Sequence, residues 1–192
     1  MSLGSVNRQV GGIISEIEKC LDNWEMISEN SLLRIREASN NRLKLAKALT
    51  EESVPKWDLY SMEAKTFDKL ELEKEFQELS GKLDDTQVQY NKIILSYFKY
   101  QEVIRDAASS FGPNVLEREV FDNKLPSEVD YILHEAVDNL KKEFALISTV
   151  IERIKNAKQL QLNHALVFVS IWTHRPYFTK LDKLLDADVS TT

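Results

Sequence analysis

Few residues of this 192-residue chain have the types and spacing that chemistry needs. His134, Glu135 and Asp138 read HEAVD, close to the helical zinc motif HExxH with Asp in the last place. On a helix, positions 134 and 138 share a face. A catalytic zinc takes three protein ligands, however. His164 and His174 lie about 45 and 60 Å further along a straight helix at 1.5 Å per residue. The motif therefore reads as a surface histidine beside surface acids, and no metal or other cofactor is expected. Cys20 would need a partner base to act as a nucleophile. It falls between Ile17 and Trp24 on an apolar stripe and reads as a small buried hydrophobe. The sequence holds no Gly-rich phosphate loop, CxxC pair or nucleophile elbow. Acid pairs such as Asp84-Asp85 point about 100° apart on a helix and read as a solvated face. No catalytic residues are assigned, and the chain is not expected to be an enzyme.

The charge pattern is more informative. Arg34, Arg36, Arg42, Lys44 and Lys47 stand against Glu37 alone within residues 31–50. Residues 51–85 carry five bases and eleven acids. If these segments pair as a helical hairpin, opposite charges lie side by side and set the pairing. The competing reading is a surface for phosphate or anionic lipid, built from the same five bases. Tyr90, Tyr97, Phe98 and Tyr100 have the ring types that stack on nucleobases. They lack interleaved bases and recur at helical spacing, so they read as core. With a net charge of -6, nucleic acid is not an expected partner.

Three segments must carry these residues. The first spans about residues 6–49. Val10, Ile13, Ile17, Cys20, Trp24, Ile27 and Ser31 alternate three and four apart, and Ile35, Ala38, Arg42, Leu45 and Leu49 continue after a phase shift. Pro55 disfavours helix at the residue before it. The second segment spans about 57–111. Leu72, Phe76, Leu79, Leu83, Thr86, Tyr90, Ile93, Tyr97, Tyr100, Ile104, Ala107 and Phe111 keep strict four-three spacing. Ile94 and Phe98 add a second stripe, wider than a two-stranded coil requires. Gly112-Pro113 stops it. Residues 112–126 read as an ordered connection with a short helical turn. The third segment spans about 127–185, opened by Ser127 as N-cap with Asp130 as its reciprocal acid. Its seam runs through Leu133, Val137, Leu140, Phe144, Ile147, Ile151 and Ile154. Lys158 and Gln161 interrupt it, and Ala165, Phe168 and Trp172 resume it. Pro176 kinks or interrupts the helix, Phe178, Leu181, Leu184 and Leu185 read as a further amphipathic turn, and the tail 186–192 should fray.

Gly and Pro are scarce, five and four residues, against 43% hydrophobic and 29% charged residues. That excludes β-sandwiches and doubly wound α/β enzymes, which need turn residues and Gly-rich loops. It also excludes a disordered chain. The expected fold is all-α: one domain over residues 1–192, an elongated antiparallel three-helix bundle or coiled coil of long helices. The single cysteine fits a reducing, cytoplasmic compartment, and no apolar run approaches the roughly 20 residues of a membrane span. The expected function is a non-catalytic scaffold or adaptor that binds a protein partner or a second copy, with a homodimer favoured. Leu166, Phe168, Val169 and Trp172, in the most apolar stretch, are the expected interface. In helix number and length the chain is also similar to BAR-type membrane-curvature modules. That similarity implies an alternative function at anionic membranes through the basic patch.

Overall fold

In a computed structural model the chain is all-helical. The structure describes residues 3–50, 59–156, 161–178 and 183, with side chains for 3–44, 69–156, 161–178 and 183. Four α-helices follow in order: α1 Leu3–Thr50, α2 Leu59–Phe111, α3 Pro126–Asn156 and α4 Leu162–His174. A 3-10 turn, Pro113–Glu117, lies in the connection between α2 and α3. No strand occurs among the described residues.

The heptad spacing explains the first two helices. Isolated helices are marginal in water, and burial of one face sustains them. Val10, Ile13, Ile17, Cys20, Trp24, Ser31, Ile35 and Ala38 are all buried on α1. On α2 the buried set includes Leu72, Phe76, Leu79, Thr86, Ile93, Tyr97, Tyr100 and Ala107. The seam frays at its end, where Phe111 is exposed, and Phe98 points to solvent rather than widening the core. Leu45, Lys47 and Leu49 lie outside the described side chains, and Pro55 outside the described residues.

The third segment is two helices, not one. α3 ends at Asn156, and Gln161 in extended backbone, φ -83° and ψ 150°, opens α4. Gln161 is one of the two polar residues that interrupt the seam; Lys158, the other, lies outside the described residues. α4 ends at His174 rather than continuing past Pro176. Arg175 takes a left-handed conformation, φ 43°, and its N–H donates to the Ile171 carbonyl at 3.0 Å. Leu181, Leu184, Leu185 and the tail from Asp186 lie outside the described residues.

The cap of α3 also differs from expectation. The helix begins at Pro126, so Leu125 is the N-cap. Its N–H donates to Glu128 Oε2 at 2.6 Å, which is the reciprocal half of a capping box two residues earlier. Proline at the first helical position fits because it has no N–H to leave unsatisfied. Ser127 is exposed, and Asp130 lies 3.4 Å from Gln101 Nε2 instead.

The described chain divides into two compact units. The first comprises Met1–Glu25, Gln87–Lys142 and Tyr177–Thr192. Within it, Glu16 meets Lys99 at 3.6 Å and Trp24 meets Tyr90 edge-on at 6.5 Å, so rising numbers on α1 meet falling numbers on α2. Tyr100 Oη donates to the Pro126 carbonyl at 2.6 Å, and the Tyr97 ring lies 6.2 Å from that of His134. The connection is ordered. Gly112 takes φ 84°, a conformation a side chain would strain. Asp122 and Asn123, both at positive φ, turn a two-residue bend between Phe121 and Lys124. Val115 and Val120 anchor the connection in the core.

The second unit comprises Met26–Thr86 and Glu143–Pro176. Its core joins Ile35 and Ala38, Leu72, Phe76 and Leu79, Ile147 to Ile154, and Phe168 and Trp172. Trp172 Nε1 donates to the Ser28 carbonyl at 3.0 Å. Ser28 and Ser31 are both buried on α1. Their small side chains leave room for an indole there. The Ser31 hydroxyl is satisfied within its own helix by the Ile27 carbonyl at 2.7 Å.

Candidate functional site

The densest polar arrangement among the described residues is in the second unit, where α1 meets α2. Arg34 lies 3.0 Å from Glu37, 3.4 Å from Glu75 and 2.8 Å from Glu78. One guanidinium thus serves three carboxylates. Glu37 is one helical turn from Arg34, while Glu75 and Glu78 come from the facing helix. Glu75 is 5% exposed, and no protein donor reaches its Oε2. Burial pushes the Glu75 carboxyl up, Glu37 and Glu78 add to the rise, and Arg34 partly offsets it. Arg34 is held still more firmly protonated, chiefly by Glu78.

This arrangement accounts for part of the charge pattern. Arg34 is engaged with acids of the facing segment. Arg36 and Lys44 are exposed, Arg42 is half-buried, and Lys44 Nζ lies 3.5 Å from Asn41 Oδ1. Arg34 is thus engaged with carboxylates, while Arg36 and Lys44 face solvent. The Lys47 side chain lies outside the described ones. Charge counting over residues 51–85 does not single out Glu75, which is buried. The signal was present: Glu75 stands three residues from Leu72 and four from Leu79, beside the seam.

α4 carries the expected interface residues on different sides. Phe168 and Trp172 are buried within the chain, and Ala165 lies with them. Val169 is half-buried. Leu166 is 59% exposed, joined by Val167 and by Leu162, which precedes the apolar stretch picked out from the sequence. An apolar helix that buries one face and exposes apolar residues on the other has surface to offer a partner.

In the first unit the remaining chemistry-bearing residues are separately engaged. Asp138 pairs with Lys142 at 2.6 Å, and that hydrogen bond holds its carboxyl below the usual range. His134 is exposed beside Tyr97. Among the described residues, no three His, Cys, Asp or Glu side chains converge to hold a metal ion. Cys20 is buried, and burial pushes its thiol up, against a lowering by Lys92 and with a rise from Glu16. A thiol so placed is a poor nucleophile, since reactivity belongs to the thiolate. Tyr97 and Tyr100 are core residues; burial raises both phenols, with Asp130 adding to the rise.

A groove of about 570 Å³ opens between α2 and α3 in this unit, near the 3-10 turn. Ile104, Ala108, Leu116 and Pro126 supply its apolar wall, with Arg105 and Asp130 at the margin. Gln101 Nε2 spans Tyr97 Oη at 2.9 Å and Asp130 Oδ1 at 3.4 Å. The polar groups of the wall are thus largely engaged with one another. The arrangement has no nucleophile–base pair. No helix among the described residues is long and apolar enough to cross a membrane. Compared with known proteins, the chain matches no family model and no curated sequence.

Proposed function

We propose that this protein is a non-catalytic helical scaffold that assembles with a second copy of itself through the outer face of α4. The observation that carries the reading is the exposure of Leu162, Leu166 and Val167 on a helix whose opposite side is already filled by Ala165, Phe168 and Trp172. Large exposed apolar residues on adjoining helical turns favour association, because burial gains about 25 cal/mol per Å² of apolar surface. A symmetric dimer brings the same patch from both subunits together. The underlying architecture in this reading is an antiparallel bundle of long helices. It draws support from the opposed numbering of the Glu16–Lys99 and Trp24–Tyr90 contacts.

Sedimentation of the full chain at micromolar concentration tests this. The expected outcome is a dimer that Leu166→Glu with Val167→Glu converts to a folded monomer. A wild-type chain that stays a soluble monomer sinks the proposal. The BAR-like alternative predicts salt-sensitive binding to anionic vesicles. It is disfavoured by the commitment of Arg34 to three carboxylates.

A further inference from the structure

The cluster around Arg34 contains more carboxylate than one guanidinium can neutralise. Glu37, Glu75 and Glu78 carry three negative charges when ionised, against the single positive charge of Arg34. Two of the acids are over one-third exposed at the side chain and stay hydrated. Glu75 is different: its side chain is 7% exposed, and one of its oxygens meets no protein donor. A buried carboxylate oxygen with no donor is costly, whereas the neutral acid can itself donate. An acceptor is at hand, because Glu37 and Glu75 meet the same Arg34 Nη1, at 3.0 and 3.4 Å, and are therefore neighbours. Two carboxyls so placed hold a single proton in preference to two negative charges.

We propose that Glu75 and Glu37 share one proton beneath Arg34, so that mild acidification tightens the pairing of α1 with α2 in this unit. The proton comes from solvent, and no other reactant is needed. The protonated Glu75 hydroxyl donates to the Glu37 carboxylate, while Arg34 continues to serve Glu37 and Glu78. Among the described residues, the charges facing Glu75 are Arg34 and Glu37 from α1 and Glu78 from its own helix. On α3 of this unit, Glu152, Arg153 and Lys155 are exposed, and the buried Glu143 is not among the acids on Arg34. On α4, His164 and His174 are exposed.

The sign follows from linkage. Glu75 binds its proton more tightly when folded than the ordinary value of 4.5. The contribution to stability is therefore complete below about pH 4.5. It is lost as pH rises through the higher folded value. Most paired carboxylates behave in the opposite way.

Thermal melting of the full chain between about pH 7.5 and pH 4.5 tests the proposal against Glu75→Gln, which fixes the neutral form. At the higher pH the variant is expected to melt about 2 °C or more above wild type, and the gap should close toward pH 4.5. A gap that is independent of pH, or a variant less stable at the higher pH, overturns it. A direct reading does not depend on that variant folding. The carboxyl carbon of Glu75, followed by carbon-13 NMR in the wild-type chain, should titrate above 4.5 and shift downward in Glu37→Gln. A midpoint at or below 4.5, or one unmoved by Glu37→Gln, means that no proton is shared.

Discussion

At the scale of single residues, position on the seam decides consequence more than residue type does. Tyr97 carries a hydroxyl yet is buried, held by Gln101 at 2.9 Å. Glu102, five residues on, is exposed. Tyr97→Asp should therefore destabilise the fold by several kcal/mol, since it buries a carboxylate without a counter-charge. Glu102→Ala should change stability by less than about 0.5 kcal/mol. Thermal melts with the opposite ranking would mean that the seam is misassigned. Trp172 offers a finer measurement. Trp172→Phe retains most of the ring but removes the donor to the Ser28 carbonyl. A loss of about 1–2 kcal/mol in urea unfolding is expected, larger than a surface change and smaller than truncation to alanine, which costs about 3–5 kcal/mol.

At the scale of elements, the long helices tolerate poor formers wherever burial compensates. Gly81 lies in the interior of α2, and a Cβ added there would meet nothing within 4 Å. Gly81→Ala should then stabilise by about 0.5–1 kcal/mol, because alanine loses less backbone entropy on folding and no neighbour has to move. Calorimetry should show Tm rising by about 1–4 °C. An unchanged or lowered Tm would point to a neighbour that the present packing does not include. Gly112 is the opposite case. Its positive φ directs the chain out of α2 into the 3-10 turn, so a side chain there is strained whatever the space around it. Loss of the continuous third helix follows the same logic in reverse. Gln161 brings no apolar side chain to the seam, and α4 begins at Leu162 after it.

At the scale of the whole molecule, the distribution of charge separates the scaffold reading from a membrane-binding one. Arg36 and Lys44 are exposed, whereas Arg34 is tied to acids. Reversing Arg36 and Lys44 to Glu should shift stability by no more than about 0.5 kcal/mol and leave self-association intact. Arg34→Glu should be clearly more destabilising, since it removes the cation that faces Glu75 among the described residues. Co-sedimentation with anionic liposomes should detect no binding by the unmodified chain. Binding that the double reversal abolishes without a change in melting would favour the membrane reading, because each base near such a surface contributes about 1 kcal/mol.

The all-helical class, the extents of α1 and α2 and the inward faces of the seams were legible from residue spacing. Heptad periodicity states directly which side of a helix must leave water, and Gly112-Pro113 states where a helix must stop. That ground assigns Cys20, Tyr90, Tyr97, Phe98 and Tyr100 to packing; Cys20, Tyr97 and Tyr100 are buried, whereas Phe98 is exposed. Periodicity is blind to what faces a seam from another helix. Only the tertiary structure decided that one arginine answers three glutamates, that Glu75 is sealed from water, and that the Trp172 indole reaches the Ser28 carbonyl across 144 positions of sequence. It also decided which apolar side chains of α4 are spent inward and which face out. Spacing along one helix reports the period of burial, whereas burial of a particular side chain depends on the shape and charge of the helices packed against it.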